Sequence, residues 1–155
     1  MPLKLALPLT ALFFLQCAGG YTPPSANPTV FTYDIPLAKT ALFAKSSATL
    51  KDLGYTFVVE DPELGQIRTT PQAYRFTAGD CDCGEWYRKP EVLDKATALR
   101  IEIILSIREG GIDFSTKYSA EHRNTAGKID RRPECVSLGQ LEKQLVDAIV
   151  AKKLD

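Results

Sequence analysis

The stretch LRIEIILSIREGGIDFSTKYSA, residues 99 to 120, decides the fold. Leu99, Ile101, Ile103, Leu105 and Ile107 alternate with Arg100, Glu102, Ser106 and Arg108, which is the pattern of a strand with one buried and one wet face. Gly110 and Gly111 supply the backbone freedom for a hairpin turn. Ile112, Phe114, Thr116, Tyr118 and Ala120 then carry the same face back along a returning strand. An antiparallel sheet with one apolar face needs a second layer to cover it.

Two amphipathic segments flank the hairpin and can supply that layer. The first is entered through the strand-like run from Thr29 to Tyr33, with Asp34 as N-cap and Pro36 in the first turn. It places Leu42, Phe43, Leu50 and Leu53 on one side, with Ser46 small between them, and Gly54 ends it as a left-handed cap. The second follows a capping-box pattern at Ser137 and Gln140 and carries Leu138, Leu141, Leu145, Ala148 and Ile149 on one side. Between the first helix and the hairpin, Tyr55, Phe57 and Val59 alternate as a strand. Asp61 to Gly65 turns the chain into a partner strand over residues 66 to 70. The order is β-α-β-β-β-β-α. It implies a single α+β domain over residues 29–155, a two-layer sandwich of a mainly antiparallel sheet with two helices on one face.

The chain starts with Met1, a single early cation at Lys4 and an apolar run from Leu5 to Leu15, followed at once by Gln16, Cys17, Ala18, Gly19 and Gly20. A positive end, about a dozen apolar residues and small residues beyond them describe an export signal. The run is shorter than the roughly 20 residues that cross a bilayer, and Pro8 would disturb a helix there. A cysteine directly behind the run resembles the lipobox of bacterial lipoproteins. That resemblance implies a signal peptide over residues 1–16, an acyl or diacylglyceryl lipid on Cys17 as the one non-protein group, and attachment to a membrane. Asp after the cysteine favours inner-membrane retention in such lipoproteins. Ala18 is not Asp, so the implied address is the periplasmic face of the outer membrane. Glycine and three prolines make residues 17–28 a flexible tether, its last ten residues reaching about 30 Å.

Export also bears on the other cysteines, because an oxidising compartment favours disulfides. Cys81, Cys83 and Cys135 remain, and pairing Cys81 with Cys83 would close a very small strained ring. Cys83 with Cys135 is the favoured bond, with Cys81 as the substitute partner. Closing a loop of that length is worth roughly 3 to 4 kcal/mol in the chain-entropy model. Two other uses of these residues remain open: a metal site drawing on Asp80, Asp82 and Glu85, and a reactive thiol at Cys81. A zinc site usually takes two spaced Cys/His pairs, so no metal site is expected.

Nineteen cations balance 19 anions, which gives no support to nucleic-acid binding. His122 is the only histidine and reads as a loop or surface residue, while Ser115, Ser119 and Ser137 lack a nucleophile-elbow context. With no catalytic constellation, the chain is expected not to be an enzyme. The long connection after Cys83 gathers Trp86, Tyr87 and Arg88, side chains enriched where proteins bind partners. These are the candidate contact residues for a protein partner in the envelope. The element order behind a lipidated cysteine resembles the helix-grip domains of the C-component lipoprotein of the outer-membrane barrel-assembly machine, over roughly residues 29 to 153. The leading expectation is a non-enzymatic, membrane-anchored interaction or scaffold module. An exported carrier of a small ligand, lipid or metal is the alternative.

Overall fold

Residues 20–27, 29–77 and 79–153 are described by the computed structural model, so Cys17 and the export signal lie outside the described residues. In chain order the first half contains β1 (Tyr21–Thr22), β2 (Phe31–Asp34), α1 (Lys39–Asp52), β3 (Phe57–Asp61), β4 (Gln66–Thr69) and β5 (Gln72–Ala73). The second half contains β6 (Cys81–Asp82), β7 (Glu85–Trp86), β8 (Lys89–Pro90), a 3-10 turn (Glu91–Leu93), β9 (Thr97–Arg108), β10 (Gly111–Arg123), β11 (Ile129–Arg131), β12 (Val136–Ser137) and α2 (Gln140–Ala151). Among the described residues, no helix is long and apolar enough to cross a membrane.

The β9–β10 hairpin is the spine, paired without interruption from Arg108↔Gly111 to Thr97↔His122. Each of its edges is shared by two shorter strands. β4 and then β3 extend β9 near the turn, and β5 takes its other end. On the opposite edge β2 pairs with the start of β10 and β11 with its end. Every pairing is antiparallel. Where β4 stops short of β5, the Ile103 N–H donates to Thr69 Oγ1 at 2.9 Å, so a side chain fills the gap in the ladder.

One apolar face of this spine is roofed twice. Near the turn, Ile101, Ile103, Leu105, Ile107, Ile112 and Phe114 pack with Leu42, Phe43 and Leu50 of α1 and with Leu141, Leu145, Val146 and Ile149 of α2. A side chain of this kind contributes about 1.5–3 kcal/mol when fully buried. At the open end, Leu99 and Ala120 pack instead with Cys81, Cys83, Phe76 and Val92. The α+β sandwich with both helices against one sheet face is thus the architecture of the chain.

Several local expectations are corrected. The turn is Glu109-Gly110, since Gly111 already pairs with Arg108. α1 starts at Lys39 behind Ala38, not at Asp34. Asp34 ends β2 and bonds Arg108 at 2.8 Å, while the Lys39 N–H donates to Glu109 Oε2 at 3.0 Å, so a carboxylate on the distant hairpin turn supplies the helix cap. Gly54 does adopt the left-handed φ of 85°, but Leu53 beside it is exposed. α2 follows Gly139, whose φ is 84°, and Ser137 forms no capping box. Its hydroxyl accepts the Gly139 N–H at 3.1 Å and its backbone belongs to β12. Leu138 and Ala148 face solvent, and Val146 takes the buried place.

The free tether is corrected too. Tyr21 pairs with Trp86 and Thr22 with Glu85, adding β1 to the β7–β8 ribbon. Tyr87 N–H donates to the Gly20 carbonyl at 2.6 Å, and Ser25 bonds the Asp82 carboxylate through N–H at 3.1 Å and Oγ at 3.3 Å. A two-stranded ribbon leaves an open edge, and the incoming segment satisfies it. The folded unit therefore begins at least nine residues before Thr29.

Candidate functional site

The connection from Phe76 to Lys95 crosses the open end of the spine and is held there by chemistry rather than by periodic packing. β6 pairs with β12, and Cys83 is bonded to Cys135 with an S–S distance of 2.06 Å, so the favoured disulfide is present. Among the described residues Cys81 is the free thiol, buried, with its Sγ 3.8 Å from Cys83 Sγ. Burial first, and then the carboxylates of Asp80 and Asp82, push this thiol up to about 12. A thiol so rarely ionised is a poor nucleophile, which weighs against the reactive-thiol reading. Among the described residues, no group of three or more His, Cys, Asp or Glu side chains is arranged to hold a metal.

Beyond the disulfide the chain forms a hairpin whose tip is Tyr87-Arg88, between the paired residues Trp86 and Lys89. Both tip residues have positive φ, 49° and 64°. Two-residue hairpin turns of this hand are normally built from Asn and Gly, and a bulky residue there costs on the order of 1–3 kcal/mol. The strained backbone presents Tyr87, 71% exposed, and Arg88 to solvent. Trp86 is half-buried, its ring 5.4 Å from that of Tyr87 and 6.4 Å from that of Tyr21. Trp86 and Tyr87 border an open cleft of about 680 Å³ together with Lys89, Glu91, Leu93 and Asp94.

Under the tip lies a charged network that sequence reasoning missed. The Arg131 guanidinium sits 4.4 Å from the Trp86 ring centre, and its Nε donates to Glu91 Oε1 at 2.7 Å. Glu91 is 1% exposed and also accepts from Thr97 Oγ1 at 3.0 Å. A buried carboxylate needs such partners. Asp94 reaches Arg131 at 3.6 Å and His122 Nε2 at 3.4 Å, and His122 Nδ1 lies 2.6 Å from Asp130 Oδ1. That hydrogen bond holds the Asp130 carboxyl below its ordinary value. His122 is therefore not a bare surface residue. It is clamped between two aspartates and locks β10 to the 3-10 turn and β11.

Structure thus brings Trp86, Tyr87 and Arg88 into one tip and joins Cys83 to Cys135, with Cys81 alongside. What the class of architecture defines is an α+β sandwich with a disulfide-bonded annex. No family model matches the chain, and no curated protein matches it. Among solved structures it is similar to a DUF4468 family protein from Bacteroides ovatus, with 13% identity, 77% of this chain and 78% of that chain covered, and a TM-score of 0.39.

Proposed function

We propose that the chain is a non-enzymatic envelope lipoprotein, anchored through Cys17 to the outer membrane on its periplasmic side, whose domain serves as an interaction module with the Trp86–Arg88 tip as its contact surface. The observation that carries this is the tip itself: an energetically costly backbone holds a tyrosine and an arginine outward on a mount stiffened by the disulfide and by Arg131. Strain of this kind persists where surrounding structure enforces it, and it clusters at binding sites. The oxidised Cys83–Cys135 pair is consistent with an exported chain. The order of elements read from the sequence resembles that of the helix-grip domains of the barrel-assembly machine, which supports the scaffold class. The carrier alternative draws on a cleft of about 460 Å³ between Tyr55, Tyr74, Leu141 and Leu145, but that cleft is open, whereas carriers enclose most of their ligand.

Two measurements test this reading. Cells fed radiolabelled palmitate are expected to label the wild-type chain and not Cys17→Ser; label that survives the substitution would overturn the anchor. A photocrosslinking residue placed at Tyr87 or Arg88 is expected to give one dominant adduct with an envelope component, lipid or protein, while the same probe at Lys117, exposed on β10, gives none. Equal adducts from both positions would remove the tip as a contact surface.

A further inference from the structure

We infer that the tip docks on the bilayer itself, beside the protein's own anchor, and so seats the domain in a fixed orientation on an anionic lipid surface. The inference rests on the proposed attachment at Cys17 and adds what that attachment does not imply, a second contact made by side chains.

The pairing of β1 with β7 sets the distance. Gly20 is held by the Tyr87 N–H, and Tyr21 is in register with Trp86. Cys17 precedes Gly20 by three residues, and a chain extends at most about 3.6 Å per residue, so no more than about 11 Å separates an acylated Cys17 from the base of the tip. The headgroup zone on each side of a bilayer is about 5–8 Å deep. Acyl chains that pull Cys17 to the surface therefore bring the tip to the headgroups. A free tether of ten residues would have left the domain able to stand well clear.

What arrives there has the composition of an interfacial surface. Tyr87 and Leu93 are exposed, Trp86 is half-exposed, and Arg88, Lys89 and Lys95 stand around them in solvent. Tryptophan and tyrosine concentrate at headgroup level because one end of each ring system is apolar and the other polar. Lysine and arginine beside them are attracted to anionic lipids. The acids of the same region are largely countered: Glu91, buried, is paired with Arg131, and Asp94, exposed at the edge of the same cleft, is held by Arg131 and His122. Glu85 is the exposed acid left on the ribbon. An exposed tyrosine and leucine on a strained hairpin, at the point where a lipidated chain enters the fold, fit a lipid surface better than a protein groove.

Trp86 is the chain's only tryptophan, so its fluorescence reports on this contact alone. The full chain, purified as the envelope delivers it, is reconstituted into vesicles of phosphatidylcholine and phosphatidylglycerol whose acyl chains are brominated or not. An interfacial side chain sits about 5–10 Å into the headgroup–acyl boundary, so bromine is expected to reduce Trp86 emission about twofold. In the triple variant Tyr87→Ala, Arg88→Ala, Leu93→Ala the reduction is expected to shrink to less than about a fifth, with the thermal transition retained. Equal emission from both kinds of vesicle overturns the docking, as does shielding of Trp86 by a bound envelope protein with no effect of bromine. Palmitate labelling reports separately on the anchor. A labelled chain with unquenched Trp86 refutes the docking and keeps the anchor. An unlabelled chain that is quenched keeps the docking and refutes the anchor. A chain that is neither labelled nor quenched loses both.

Discussion

The turn end and the open end of the β9–β10 hairpin share one apolar face but are covered by different means. Over the turn end lie two helices whose leucines, isoleucines and phenylalanines form a continuous core. Over the open end lie strands only two residues long, a disulfide, a free thiol and an arginine between a carboxylate and an indole ring. The first roof is stabilised by area removed from water and is insensitive to the order in which the pieces arrive in sequence. The second has too little apolar area for that and depends on a covalent bond and on satisfied buried charges. The difference predicts separable behaviour.

The largest effect is expected in the helical half. Phe114→Ala opens a cavity against α1 and α2 and should cost about 3–5 kcal/mol, read as a global loss in chemical denaturation. If only the annex loosened, the division would be misplaced. Next, replacing Cys83 and Cys135 together by serine should cost about 2–4 kcal/mol. Hydrogen exchange should rise over residues 81 to 90 and at Tyr21–Thr22, while amides from Ile101 to Ile107 stay protected. Uniform loss of protection would show that the two roofs form one cooperative unit.

The smallest effect per step concerns alkaline pH and draws on both halves, with Tyr55 in the helical core, Cys81 in the annex and Tyr118 packed against both. Burial pushes the Cys81 thiol and the Tyr55 phenol up to about 12 and raises Tyr118 further still. In each case the folded state holds a proton that the unfolded chain has already released. Their contribution to stability is complete below roughly pH 9 and declines as pH rises toward the folded values. A melting temperature that stays level from pH 9 to 11 would contradict this burial. Cys81→Ala should flatten the first part of the decline.

The same division separates what could be read from the residues from what could not. Residues 99 to 120 announce their strands because a period of two persists across the whole hairpin. The helices were legible in their middles, where Leu42, Ser46 and Leu50, and Leu141, Leu145 and Ile149, repeat every four positions. Their ends were not, because α1 is capped by Glu109 from the hairpin turn and α2 by the backbone of Gly139. No local pattern reveals a cap supplied from 70 residues away. In the annex, a two-residue strand has no period at all, and Glu91 and Arg131 stand 40 residues apart. Cysteine arithmetic was the exception: ring strain excluded Cys81 with Cys83 and left Cys135 as one partner, with Cys83 favoured over Cys81 for the other, and the bond is Cys83–Cys135. The tip was found by composition, but its docked partner Tyr21 was hidden in a stretch whose glycines and prolines read as linker.

The Glu109-Gly110 turn has a consequence for engineering the chain. Its glycine accepts the Ile35 N–H at 2.9 Å and donates to the Leu37 carbonyl at 3.2 Å, while its glutamate closes the first turn of α1. Two residues thus splice the spine, the edge strand and the first helix at one point. An affinity tag, fluorescent insert or permuted terminus placed there would cut three joints at once. The exposed loop from Asn124 to Lys128, which bonds mainly to itself, is the tolerant place for such a handle.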